Sequence, residues 1–342
     1  MRSDSKKQVK MSDVAAGAGV SVAAVSMALA DSPQISEGTK RRVRATCRKL
    51  GYKARQRRRG AGRGRPHYGL MVVGRAAQDD VVLPVVNDLA SRATAAGSRL
   101  EVGAIPDTSD RRATARHLVA FCRGLDGFIL TGVLGRDARR AIAQAGIPHV
   151  VVGRVLADWP PSSPPEHMAS VSCDGVAMGR YAAHWLMARG HRRIAFVCAA
   201  MPRGMYVSEW ADGYRLAHAD AGVTVDDGLV RVADEDESVG AAVRALSALK
   251  PRPTACVIPD PRVALGVLGA GRDAGLCFDK RSVVLTGPER TLAHWDLGEY
   301  PVVTEDSAGM ADAALRMLAL QRGGDSAAAM HWVVPFLSRN MG

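Results

Sequence analysis

Long hydrophobic runs are missing from this chain. Its apolar stretches are short, about five residues as around Val150–Val152 and eight at most over 194–201, whereas a membrane-spanning helix needs roughly 18–20. Residues 1–20 contain neither an apolar core nor a small-residue cleavage site, so no secretory signal is read there and a cytoplasmic location is expected. The six cysteines form no C-x-x-C pair and no Cys/His cluster at zinc spacing, which excludes a disulfide framework and a metal site at the level of sequence. Cys47, Cys122, Cys173, Cys198, Cys256 and Cys277 each sit in apolar surroundings and read as buried small hydrophobes. Catalytic signatures are absent as well. There is no G-x-S-x-G, no phosphate-binding P-loop and no H-E-x-x-H. Gly269-Ala270-Gly271 followed by Gly275 has the wrong spacing for a dinucleotide fingerprint and falls in a helical stretch, and no strand precedes Gly60–Gly64. Neither an enzymatic activity nor a cofactor is expected.

What is present is a globular composition with a polarised charge. The 342 residues are 47% hydrophobic, enough for two or three packed domains. The net charge of +12 is concentrated at one end. Residues 1–66 hold 17 of the 46 Lys+Arg and 4 of the 34 Asp+Glu, leaving 29 basic against 30 acidic residues in the other 276. A basic segment on a neutral body suits a polyanion, because each neutralised phosphate releases counterions.

The basic segment is also patterned. Residues 11–29 read as two short helices, with Gly19 allowing a sharp turn and Ser21 capping the second. Val14, Ala15 and Ala18 are set to face Val25 and Leu29, with Val20 at the corner. A third helix is expected from Ser36 as N-cap to Leu50, with Gly51 as its stop. Val43, Cys47 and Leu50 share one face of it, and Lys40, Arg41, Arg42, Arg44, Arg48 and Lys49 take the others. Three short helices with a basic surface make a small DNA-binding unit.

At these residues the sequence resembles the lactose/galactose repressor (LacI/GalR) family. Asp13-Val14-Ala15, Ala18-Gly19-Val20-Ser21, Val25-Ser26, Ile35-Ser36, Thr39 and Gly51-Tyr52 match that family's head in residue type and spacing. The resemblance implies that the helix from Val22 to Leu29 lies in the major groove of double-stranded operator DNA. Ser21, Ser36, Thr39 and Tyr52 would contact phosphates, and Val22, Ala23, Ser26 and Met27 would face base edges. Ala24, Met27 and Ala30 stand where the family usually has Thr, Arg and Asn. Met27 cannot grip guanine as an Arg does, so an operator favouring A·T pairs at those positions is expected. In the linker, Ala61 replaces the family's wedging Leu, and Gly60, Gly62 and Gly64 disfavour a helix. Arg57, Arg58 and Arg59 are therefore expected to hold DNA through phosphates and minor-groove potential.

Beyond Tyr68 the pattern alternates between short apolar strands and helices of ten to fifteen residues, the mark of βαβ units and parallel sheets. Strands are expected at 68–73, 100–105, 127–131, 149–153, 194–198, 229–232, 255–258 and 282–286. Helices are expected at 83–96, 113–122, 138–145, 175–188, 209–221, 239–249 and 263–274. Gly190–Phe196 and Arg252–Ala255 are also similar to the family's core. The expected fold class is a small all-α helix-turn-helix head (1–52), a basic linker (53–66) and a two-lobed α/β body (67–342), which the resemblance implies is periplasmic-binding-protein-like. The first lobe would comprise about 67–187 and 306–330, the second about 188–305 and 331–342. No heptad tail follows the last strand, so a homodimer is expected and no coiled-coil tetramer. The resemblance implies a sequence-specific regulator, a repressor by family habit, with a small-molecule effector in the cleft between lobes. Asp174 and Asp260 match effector-binding positions. Trp210 replaces a ligand-binding Arg, Pro259 an Asn, and Leu285–Pro288 a Gly-aromatic-Asp-Asp run. These losses leave two readings open: a flat effector stacked on Trp210, or a ligand-independent regulator with a degenerate pocket. A small-molecule-binding protein without DNA function would lack the basic head.

Overall fold

The computed structural model describes residues 11–29, 35–50, 65–73, 82–105, 111–132, 147–153, 169–199, 207–233, 238–323 and 331–342. The chain separates into two compact units, residues 1–63 and 64–342. Tyr52, Arg57, Arg58, Arg59, Ala61 and the helix expected at 138–145 lie outside the described residues.

The first unit is three helices: α1 (Met11–Ala18), α2 (Val22–Leu29) and α3 (Glu37–Leu50). Gly19 makes the turn between α1 and α2 with φ +64°, a conformation that costs a residue with a Cβ. Ser21 Oγ accepts from the Ala24 amide at 3.1 Å, and Ser36 Oγ accepts from the Thr39 amide at 3.3 Å, so both caps form. Val14, Ala15, Ala18, Val25, Ala28, Val43 and Cys47 build the core, with Val20 and Ile35 packed against it. Two expectations about α3 are corrected. Leu50, the last residue of the helix, is exposed, and Lys40 is buried, its Nζ 2.8 Å from Glu37 Oε1. A lysine stem covers apolar surface well when a carboxylate one turn back receives its charged end.

The second unit contains two six-stranded sheets. Its elements begin with β1 (His67–Val73), α4 (Val82–Ala95), β2 (Arg99–Ile105), α5 (Arg111–Phe121), β3 (Gly127–Gly132), β4 (His149–Val152) and β5 (Ala169–Cys173). Helix α6 (Gly175–Ala188) crosses to β6 (Ile194–Ala199), α7 (Val207–Asp220), β7 (Val230–Ala233), α8 (Val239–Ala248), β8 (Ala255–Ile258), α9 (Pro261–Asp273), β9 (Val283–Leu285), α10 (Glu289–His294) and β10 (Val302–Thr304). The chain returns through α11 (Ser307–Gly323) to β11 (His331–Val334) and ends on β12 (Leu337–Arg339).

The first sheet has the order β11-β5-β4-β3-β1-β2, all parallel, and the second β12-β10-β9-β8-β6-β7, parallel except for the β10–β12 pair. The chain therefore passes between sheets three times: through α6, through α11 and at Pro335-Phe336. Residues 331–334 differ from expectation. Their pairing with β5 puts them in the first sheet, and only β12 belongs to the second. Strands β5, β10, β11 and β12, with three to five residues each, and helices α10 and α11 are elements the sequence pattern left unassigned. Among the cysteines Cys277 is exposed, contrary to expectation, because it lies in the coil between α9 and β9. The other five are buried, and burial pushes the Cys173 and Cys198 thiols up to about 12, so both stay protonated.

Candidate functional site

The head presents one helix edge that is both accessible and preorganised. Ser21 and Ser36 sit at the amino ends of α2 and α3, where unpaired backbone N–H groups and the helix dipole favour anions. Thr39 joins Ser36, their hydroxyls 3.0 Å apart. Val22 opens α2 and is 48% exposed, and Met27 is half-buried. Ala23 and Ser26 lie on the same helix. Arg41, Arg42, Arg44, Arg48 and Lys49 are exposed along α3. The chemistry available is hydroxyls and helix ends for phosphates, a small apolar surface for base edges, and exposed cations along α3.

In the second unit the carboxyl ends of parallel strands place the other candidates. Asp174 follows β5, is exposed, and caps α6 by accepting from the Ala177 amide at 2.9 Å. Asp260 follows β8 and caps α9, but it is only 3% exposed. Arg262 holds it with a two-pronged contact, Nε to Oδ1 at 2.9 Å and Nη2 to Oδ2 at 2.8 Å, so its acceptors are spent inside the protein. The Ala199 amide at the end of β6 also donates to Asp260, at 3.4 Å. Trp210, in the first turn of α7, has 0% exposure. It packs in the core beneath α6, so close that a Cβ at Gly179 would collide with the Trp210 carbonyl. In this structure Trp210 offers no face for stacking.

The fold brings Asp174 and the start of α7 together. A Cβ at Gly175 would lie 2.6 Å from Glu209 Oε2, so the buried Glu209 sits against the amino end of α6 beside Asp174. Around Cys173 burial raises the thiol most, the fields of Glu305, Asp306 and Asp174 raise it further, and a hydrogen bond from the Asp306 backbone acts the other way. Residue spacing pointed to neither Glu209, Arg262, Glu305 nor Asp306. The Asp260-Pro261-Arg262 run did carry a signal, an N-cap followed by proline at the first helical position. Among the described residues no group of three His, Cys, Asp or Glu could hold a metal ion.

A capped three-helix unit with a basic third helix, carried on a doubly wound two-sheet body, defines a DNA-binding transcriptional regulator with an effector-binding domain. Residues 10–54 match the model of bacterial regulatory proteins of the lacI family, and residues 182–338 match the periplasmic binding protein-like domain. The chain is 28% identical over 285 residues to the HTH-type transcriptional regulator CelR of Thermobifida fusca, covering 82% of each. It is 34% identical over 133 residues to the probable opine utilization operon repressor of Rhizobium rhizogenes, across 32% of this chain and 67% of that one. A solved structure of the lac repressor dimer bound to operator and the anti-inducer ONPF has the same fold, with TM-score 0.63, 20% identity and coverage of 97% of this chain and 98% of that one. The chain belongs to the lacI family of bacterial regulatory proteins.

Proposed function

We propose that this protein represses transcription as a homodimer on a near-palindromic operator, with α2 in the major groove. The observation that carries the reading is the exposed amino edge of α2, where Ser21 caps the helix and Val22 is left 48% exposed beside a basic α3. Ser21, Ser36, Thr39 and Tyr52 serve as phosphate contacts, and Val22, Ala23, Ser26 and Met27 line the base edges. With no arginine among these four, contacts to thymine methyls replace guanine recognition. Arg57, Arg58 and Arg59 extend the contact through the linker. The protein acts where the DNA is, in the cytoplasm, and it is assigned no catalytic step.

Two related subunits present two copies of α2, so the half-sites lie about one helical turn apart. Footprinting of genomic fragments bound by the full chain tests this. A near-palindrome with two protected half-sites is expected, and a single asymmetric half-site held by one protomer refutes the dimer. Asp174 is the polar group offered to an effector between the sheets. A second reading, regulation without a cleft ligand, is favoured by the burial of Trp210 and by the Arg262 contacts that occupy Asp260.

A further inference from the structure

The two ends of the first sheet differ in charge. All six strands are parallel, so their carboxyl ends share one end of the sheet, where Asp174 and the buried Cys173 lie close to Glu305 and Asp306. The opposite end receives the chain from the basic linker, and three exposed arginines stand there among the described residues. Arg65 precedes β1, Arg99 opens β2, and Arg123 stands in the turn before β3.

Backbone hydrogen bonds gather these three at the linker's point of entry. The Arg99 amide donates to the Pro66 carbonyl at 2.7 Å. The Asp126 amide, three residues after Arg123, donates to the His67 carbonyl at 2.8 Å, and the His67 amide donates back to Asp126 Oδ2 at 2.9 Å. Two acidic groups among the described residues of this end have partners, although Glu101 stays exposed. Glu101 Oε2 is 3.2 Å from His67 Nε2, and Asp126 also lies 3.8 Å from Arg322 Nη2. Among the described residues Arg65, Arg99 and Arg123 form no ion pair, and all three are exposed.

Solvated arginines without carboxylate partners, continuous in sequence and in backbone bonding with a run of linker arginines, are complementary to a polyphosphate. We propose that the DNA-binding surface does not stop at the linker: Arg65, Arg99 and Arg123 of the body form a secondary phosphate-contacting surface for the duplex that the head and linker hold. This rests on the DNA-binding reading above and extends it to the body. The contacts carry no sequence information. They add affinity for operator and non-operator DNA alike and increase the salt dependence.

The experiment is a salt titration of duplex binding by the full chain, comparing wild type, the double variant R99Q/R123Q, and the control R252Q/R281Q. The control removes the same charge from exposed arginines that precede β8 and β9 in the second sheet. Each lost phosphate contact flattens the log–log slope by roughly 0.9, so R99Q/R123Q, which removes two arginines from each protomer of the dimer, is expected to lose about 3.6 in slope and roughly 1,000- to 10,000-fold in affinity at 0.1 M salt. The expected loss is the same on operator and random duplexes, and the control retains the wild-type slope. A wild-type slope in R99Q/R123Q overturns the proposal while leaving the head's role intact. Equal flattening in both double variants also overturns it, since net charge would then account for the effect. Absence of operator binding by wild type would instead refute the underlying DNA-binding reading.

Discussion

Trp210 illustrates how one residue's environment decides its role. A tryptophan at a ligand-binding position invites a stacking interpretation, yet its indole is fully buried in the core beneath α6. Replacing it with Ala would empty a core site, and such truncations cost about 3–5 kcal/mol. The body of W210A is therefore expected to melt well below wild type, as followed by thermal unfolding of the full chain. A stacking platform in an open cleft would leave stability nearly unchanged and alter only ligand response. Asp260 shows the same logic electrostatically. A carboxylate with 3% exposure needs compensation, and Arg262 with two backbone amides supplies it. Of the two carried-over carboxylates, Asp174 alone is accessible, and its exposure is what suits it to a ligand.

At the scale of elements, short helices depend on their ends. Both α1 and α2 have eight residues, too few to be stable alone, so caps and tertiary packing must hold them. Ser21 supports α2 through the Ala24 amide and, by the proposed function, also meets a phosphate. Ser21→Ala is expected to destabilise the head by about 1 kcal/mol, read as roughly fivefold faster amide exchange over 22–29, with the amides of β6 and β8 unchanged. Operator affinity is expected to fall with it. An unchanged exchange rate would show that the cap is dispensable and that packing of Val25 and Ala28 alone sets α2. Helix α3 makes a related point through Lys40, because a basic face is not uniformly a DNA face. One of its cations is used inside the fold, and the others remain exposed.

For the whole molecule, the division of charge matches the division into two units. The excess positive charge belongs to residues 1–66, and the remainder is nearly neutral. Removing residues 1–66 is expected to leave a folded, dimeric body without measurable operator affinity at physiological salt, checked by light scattering and a binding titration. Arg99 and Arg123, which each truncated protomer retains, add to binding by the head but are too few to replace it, since phosphate contacts act cumulatively. A truncated body that still bound the operator would show that sequence reading resides outside the helix-turn-helix.

Features set by neighbours in the chain were legible in the sequence: the Gly19 turn, the Ser21 and Ser36 caps, the ends of α6 and the β8 strand all follow from residues within a few positions of one another. The two-sheet architecture followed as well, because buried parallel strands announce themselves as apolar runs. Strands such as β10 and β12, three residues long, were not legible, since three residues carry no period and owe their pairing to strands elsewhere. Nor was the membership of β11, which is decided by its register with β5, some 160 residues earlier. The polar site depended on tertiary structure for the same reason. Whether Asp174, Trp210 and Asp260 face solvent or each other's supports is set by α6 packing on α7 and by Arg262 folding back on its own cap, and burial of that kind is a property of partners brought from a distance.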